Sequence, residues 1–194
     1  MNISSVNAKL IKDCIANERP AQQSLYNLFY ADMLRLCYRY LKSNDLAKEA
    51  MNAGFLKVFK NIETFDSKKG ELKFWIKTIM VRTCIDLNRK EAKFNETDIS
   101  DADTDIVFIN PDALNNLYAQ DLVKAIRRLP AATQLVFNLS VIDGYSHKEI
   151  GEQLQISEST SRWHLSEAKK QLRALLEPLY KLSNDPTEDK NKAK

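Results

Sequence analysis

The sequence is poor in the residues that bend a chain sharply. Four glycines and five prolines among 194 residues are under half the usual share. A sandwich or barrel needing a hairpin every few residues is therefore excluded. Histidine occurs only at His147 and His164, and the three cysteines, Cys14, Cys37 and Cys84, are odd in number and far apart. That spacing speaks against a disulfide framework or a zinc site and fits buried thiols in a reducing compartment. Both histidines are expected to be packing or polar surface residues. No Gly-rich phosphate loop, paired-Cys motif or Ser/His/Asp order is visible, so no catalysis, cofactor, metal or small-molecule substrate is expected. No run of about 18 apolar residues offers a membrane span. The opening MNISSVNAKLIKDC lacks the apolar centre of a signal peptide, and a cytoplasmic location is expected.

What the chain does have is charge, unevenly placed. Residues 1–90 carry 16 basic and 9 acidic side chains, residues 91–116 one and seven, and residues 117–194 twelve and ten. The acidic middle, EAKFNETDISDADTDIVFINPD, shows no sustained helical period and reads as a linker. It is either a solvated hinge or a stretch whose charge mimics or repels nucleic acid. The tail SNDPTEDKNKAK is polar and expected to be disordered. Helical periodicity fills the rest, which predicts an all-α protein of two small domains.

The first block reads as four helices: Val6–Asn17, one opened by Pro20, one capped at Ser43, Asn44 or Asp45 and running to about Asn61, and one from about Glu71 to Lys90. On the third, Met51, Phe55, Val58 and Ile62 share a side at spacings of 4, 3 and 4, as a buried face requires. Asp45, Glu49, Asn52 and Leu56 repeat that spacing on another face. On the fourth, Leu72, Ile76, Ile79, Thr83 and Leu87 form the expected core stripe, with Trp75, Thr78, Arg82, Asp86 and Arg89 beside it. Residues 68–90 hold seven basic and two acidic side chains. A basic stripe bearing an aromatic ring suits single-stranded nucleic acid, because cations follow phosphates and the ring gives an unstacked base a π-face. The plainer reading makes Trp75 core and Arg82–Asp86 an i,i+4 pair.

The second block also reads as four helices, about Asp112–Arg128, Ala131–Val141, His147–Leu154 and Glu158–Leu176. The last two have helix-turn-helix spacing. Ile150 and Leu154 point inward, Gly151 permits close packing, and Ile156 fills the turn. Leu165, Ala168, Leu172 and Leu175 form the inward stripe of the last helix. Its outer stripe is Arg162, Ser166, Lys169 and Arg173, flanked by Trp163, Glu167 and Lys170. A helix in the major groove reads bases from its N-terminal turns. Arg162 can read guanine and Glu167 can accept from cytosine. Ser157, Thr160, Lys169, Lys170 and Arg173 suit phosphates.

With these motifs together, the chain resembles the sigma-70 family of bacterial transcription initiation factors, in particular its small extracytoplasmic-function group. YRYLKSNDLAKEAMNAGFLKVFKNIETFD resembles the region that docks on the polymerase clamp, and GELKFWIKTIMVRTCIDLNRK the part that melts and reads the −10 element. LVKAIRRLPAATQLVFNLSVIDGYSHKEIGEQLQISESTSRWHLSEAKKQLRALL resembles the domain that reads the −35 element. The resemblance implies a four-helix region 2 domain over 1–92, an acidic linker over 93–111, a region 4 domain over 112–182 and a tail over 183–194. It implies core RNA polymerase and promoter DNA as partners, and control by an anti-sigma factor, often membrane-anchored. Asp45, Glu49, Asn52 and Leu56 fall on the clamp-facing positions. Residues 66–73, with Ser67, Lys68, Lys69 and Lys73, match the loop that captures a flipped −10 base, beside Trp75, Arg82, Asp86, Arg89 and Lys90. Arg162, Trp163, Ser166 and Glu167 match positions that approach −35 bases. The family often has an acidic residue at Ala53, commonly Asn at Arg82 and a basic residue at Glu167. The longer, always charged Arg82 can reach a phosphate instead of a base edge. A free-standing helix-turn-helix regulator and a non-catalytic helical adaptor are the alternatives. The first leaves the basic stripe at 68–90 unexplained, and the second predicts no role for Arg162 or Lys169.

Overall fold

A computed structural model of the chain describes residues 3–94 and 113–183. The expected linker and tail fall almost wholly outside them. Within the described residues every regular element is helical. The chain divides into two compact units, Met1–Asp103 and Thr104–Lys194.

The first unit comprises α1 (Ile3–Ile15), α2 (Arg19–Tyr40), α3 (Asn44–Asn61) and α4 (Leu72–Phe94), with a 3₁₀ turn over Ile62–Thr64. Its helix ends are written in local chemistry. Asn17, at φ +60, takes the left-handed position after α1, while Glu18 N–H donates to Asp13 C=O and Asn17 N–H to Cys14 C=O, both at 3.0 Å. This pairing closes the last turn. Pro20 sits in the first turn of α2, where its missing N–H costs nothing. Ser43 caps α3, its hydroxyl accepting from the Asp45 and Leu46 amides. The far end of α2 is closed from a distance: Asn88 on α4 donates its amide to Tyr40 C=O at 2.8 Å.

The core of this unit lies where α2, α3 and α4 meet. Leu25, Met33, Leu36, Cys37 and Tyr40 from α2 join Ala47, Met51, Phe55 and Val58 from α3 and Ile76, Met80 and Cys84 from α4, all buried. The α3 stripe read from sequence is thus the buried one. The α4 stripe is broader than expected. Leu72, Ile76, Met80, Val81, Thr83, Cys84 and Ile85 are buried, while Ile79 and Leu87 are only half-buried. The reason is that α4 packs against both α2 and α3, so its covered arc exceeds that of a helix with one neighbour. Leu28 on α2 faces outward, 61% exposed.

The second unit comprises α5 (Ala113–Arg127), α6 (Ala131–Phe137), α7 (His147–Leu154) and α8 (Glu158–Ser183). Where the periodicity predicts an α-helix through Val141, the chain instead widens into a π turn over Asn138–Ile142, with Asp143 N–H donating to Asn138 C=O at 3.0 Å. The wide turn keeps Phe137 and Leu139 buried and leaves Val141 exposed, which α-helical spacing alone does not anticipate. Ala125, Ile126, Leu129, Phe137, Ala168 and Leu172 form the core, with Leu165, Leu175 and Leu176 packed against it. Ser146 and Glu149 form a reciprocal capping box at the start of α7. Those hydrogen bonds hold the Glu149 carboxyl below its ordinary range. Gln155, left-handed at φ +59, ends α7, and its N–H returns to Gly151 C=O. At Gly151 a Cβ would lie 2.8 Å from the Ile156 carbonyl oxygen. Only glycine lets the turn fold this closely onto α7.

Candidate nucleic-acid and polymerase surfaces

Three outward helix faces carry the residues singled out from the sequence. On α3, Asp45, Glu49, Asn52 and Leu56 are all exposed, and Leu56 reaches 70%. Their common spacing follows from the burial of the opposite stripe. Asp45 pairs loosely with Lys48 at 3.5 Å, which leaves the face mixed: two carboxylates, an amide and an uncovered leucine.

On α4 the structure sorts the basic stripe into edges and centre. Lys73 at one edge meets Asp32 of α2 at 2.7 Å, and Asp86 at the other meets Lys57 of α3 at 3.3 Å. Asp86 therefore pairs across helices, not with Arg82 one turn away. Along the helix between these ties lie Trp75, Thr78 and Arg82, and Arg89 follows one turn later. Trp75 is neither core nor free. It is half-buried, with its ring edge-on to Phe65 at a centroid distance of 5.7 Å. The preceding loop places Ser67, Lys68 and Lys69 in solvent. It is shaped by Asp66, whose carboxylate accepts from Lys68 N–H at 2.9 Å, and by Gly70 at φ +151. Lys90 is exposed at the far end. Phe74, next in sequence to Lys73 and Trp75, stands 59% exposed and is not among the residues singled out above. Its signal was available, an aromatic residue outside the apolar period within a basic segment.

On α8 the N-terminus is organised by Ser157. Its hydroxyl accepts from Thr160 N–H at 3.0 Å and touches the Ser159 and Thr160 hydroxyls. Arg162, Trp163, Ser166, Lys169, Lys170 and Arg173 are all exposed. Arg162 is held by Glu158 at 2.8 Å, and Glu167 accepts from the Gln171 amide at 2.7 Å. The two histidines tie α8 to its scaffold, as polar packing residues. His147 on α7 bonds the buried Ser161 at 2.8 Å, and His164 bonds Thr133 of α6 at 3.0 Å. Cys14, Cys37 and Cys84 are buried, and none is in a disulfide. Among the described residues no group of side chains is arranged to hold a metal ion, and no helix is long and apolar enough to cross a membrane.

Residues 25–94, from α2 to the end of α4, match sigma-70 region 2, and residues 119–172, spanning the helix-turn-helix, match sigma-70 region 4. The chain belongs to the sigma-70 family. Its relatives place it in the extracytoplasmic-function group of that family. RNA polymerase sigma factor SigV of Bacillus subtilis is 28% identical over 145 residues, covering 75% of this chain and 84% of SigV. ECF RNA polymerase sigma factor SigW of the same organism is 26% identical over 182 residues, covering 88% and 97%. Among solved structures, the sigma factor RpoE of Bartonella quintana, crystallised with the anti-sigma factor NepR, shares the fold. Its TM-score is 0.55 at 20% identity, over 80% of this sigma-70 family member and 96% of RpoE.

Proposed function

We propose that this sigma factor divides promoter recognition between its two units. As a family member it is a non-catalytic initiation factor, and core RNA polymerase supplies the chemistry. The first unit, over 1–92, docks on the polymerase through Asp45, Glu49, Asn52 and Leu56 and holds the unpaired −10 strand on the outward face of α4. The second, over 112–182, lays α8 in the −35 duplex. The observation that carries this reading is the pair of outward faces, on α4 and α8, each combining an aromatic ring with cations and each lying in its own family region. On α4, Trp75 and Phe74 supply stacking surface, with Lys68, Lys69, Arg82 and Lys90 for phosphates. Extruding a base costs a few kcal/mol of lost stacking, which these groups offset. Lys73 and Asp86 act there through their ties to α2 and α3, setting the position of the helix.

Affinity for DNA alone is expected to be low, since a net charge of +3 spread over two modules neutralises few phosphates. Polymerase holds the modules together, and the acidic segment 93–111 connects them. An anti-sigma factor, of the kind seen with RpoE, would cover the same polar and apolar faces. The cytoplasm is the compartment this reading requires.

The direct test is reconstitution with core polymerase on a promoter library, sequencing transcript starts. New start sites sharing −10 and −35 elements are expected. Starts that do not change when the protein is added would refute the assignment. Within it, Trp75→Ala should impair strand opening more than closed-complex formation, read by permanganate reactivity at −10, with circular dichroism confirming the fold.

A further inference from the structure

On the outward face of α8 the largest apolar group is Trp163, in the second helical turn and 60% exposed. The unit's core does not use this ring, and its neighbours on that face, Arg162, Ser166 and Lys170, are polar. The ring is nevertheless not loose. The imidazole of His164 lies against it, centroids 4.8 Å apart and planes at 71°. His164 Nδ1 is in turn 3.0 Å from Thr133 Oγ1, and Thr133 is only 2% exposed on α6. A contact chain thus runs from the scaffold helix through the imidazole to the exposed indole. Burial pushes the His164 pKa below its ordinary value, which favours the neutral imidazole.

The major groove offers one apolar feature, the C5-methyl group of thymine. We propose that Trp163 reads a thymine methyl in the −35 duplex, and that His164, anchored by Thr133, positions the indole plane to do so. This deepens the assignment of α8 to that duplex and rests on it. An indole already held in one orientation loses less rotameric freedom on binding than a free one. The specificity so gained is apolar, and it adds to what Arg162 and Glu167 can hydrogen-bond.

The test uses the full chain in holoenzyme with core polymerase, on a promoter selected from the library. Each −35 thymine is replaced in turn by uracil, which removes only the methyl group. At one position, or two adjacent ones, uracil should weaken binding about fourfold, the worth of one buried methyl. Cytosine and 5-methylcytosine at those positions should differ in the same sense. Trp163→Ala should bring the thymine-to-uracil ratio to one, and Trp163→Phe should keep part of it. Thr133→Val should lower the ratio, and Thr133→Ser, which retains the hydroxyl, should restore it. A merely structural role for Thr133 would not produce that pattern. A −35 duplex protected by the wild-type holoenzyme but indifferent to the methyl overturns this proposal alone. Absence of any −35 protection overturns the underlying assignment as well.

Discussion

The outward faces of α4 and α8 differ in how their charges are held. On α4 the edges are tied to neighbouring helices, Lys73 to Asp32 and Asp86 to Lys57, and aromatic rings occupy the ground between. On α8 the ion pair lies within the helix, Arg162 to Glu158, and Lys169, Lys170 and Arg173 stand in solvent. A surface proposed to stack a base needs a fixed ring, and on α4 the Trp75 ring rests edge-on against Phe65. A surface that follows phosphates tolerates mobile cations, whose contribution falls steeply with salt. The two units also differ in what their helical glycines face. The second closes onto a glycine facing backbone, whereas Gly54 in the first faces the side chain of Met80.

That last difference gives the largest expected effect. Gly151→Ala must displace the Ile156 backbone and should cost the second unit about 1–3 kcal/mol. The first unit should be untouched. Each unit holds one tryptophan, Trp75 and Trp163, so denaturation followed in Trp75→Phe and Trp163→Phe backgrounds reads the units separately. Equal loss in both units would break the comparison. Gly54→Ala meets a flexible thioether that can give way, and should change stability by less than about 1 kcal/mol.

On α8, Arg162→Ala should cost about 1–3 kcal/mol at one −35 base pair, measured as holoenzyme affinity across −35 variants. Uniform loss over all variants would instead assign Arg162 to a phosphate. The units should also part company in pH. Burial lowers the His164 pKa from its ordinary 6.5, so the unfolded chain binds the proton more readily. The second unit's stability is then fully present above about pH 6.5 and declines as pH falls. The first unit contains no histidine. Its Cys14 and Tyr26 are both raised, chiefly by burial, which gives stability that is present below pH 9 and lost as pH climbs. Unit-resolved melts at acid and alkaline pH check both signs. The smallest effect belongs to the cross-helix tie. A double-mutant cycle of Lys57→Ala and Asp86→Ala should yield about 0.2–1 kcal/mol, diminished in high salt, because both side chains are substantially exposed.

Most of the helical frame was legible because apolar spacing and end chemistry agree. Ser43 and Pro20 mark helix starts by mechanisms that act within a few residues. The outward placement of Asp45, Glu49, Asn52 and Leu56, and of Arg162, Trp163 and Ser166, followed from the same periodicity. What escaped depends on partners far along the chain. No local pattern says that α4 has two neighbours and so buries Met80 and Val81 while leaving Ile79 and Leu87 at the margin. Asp86 had a plausible partner one turn away in Arg82, and only the packing of α3 on α4 brings Lys57 closer. The π turn after Phe137 and the burial of Arg127, 1% exposed, are likewise tertiary outcomes. The His164–Thr133 bond spans 31 residues, beyond any motif.

All three thiols lie sealed inside the first unit. A bulky maleimide can therefore label this protein only when that unit opens, and labelling is blind to any breathing of the second. The chain carries its own stopwatch for one half, with no engineered probe, and air oxidation during handling finds no sulfur at the surface to couple.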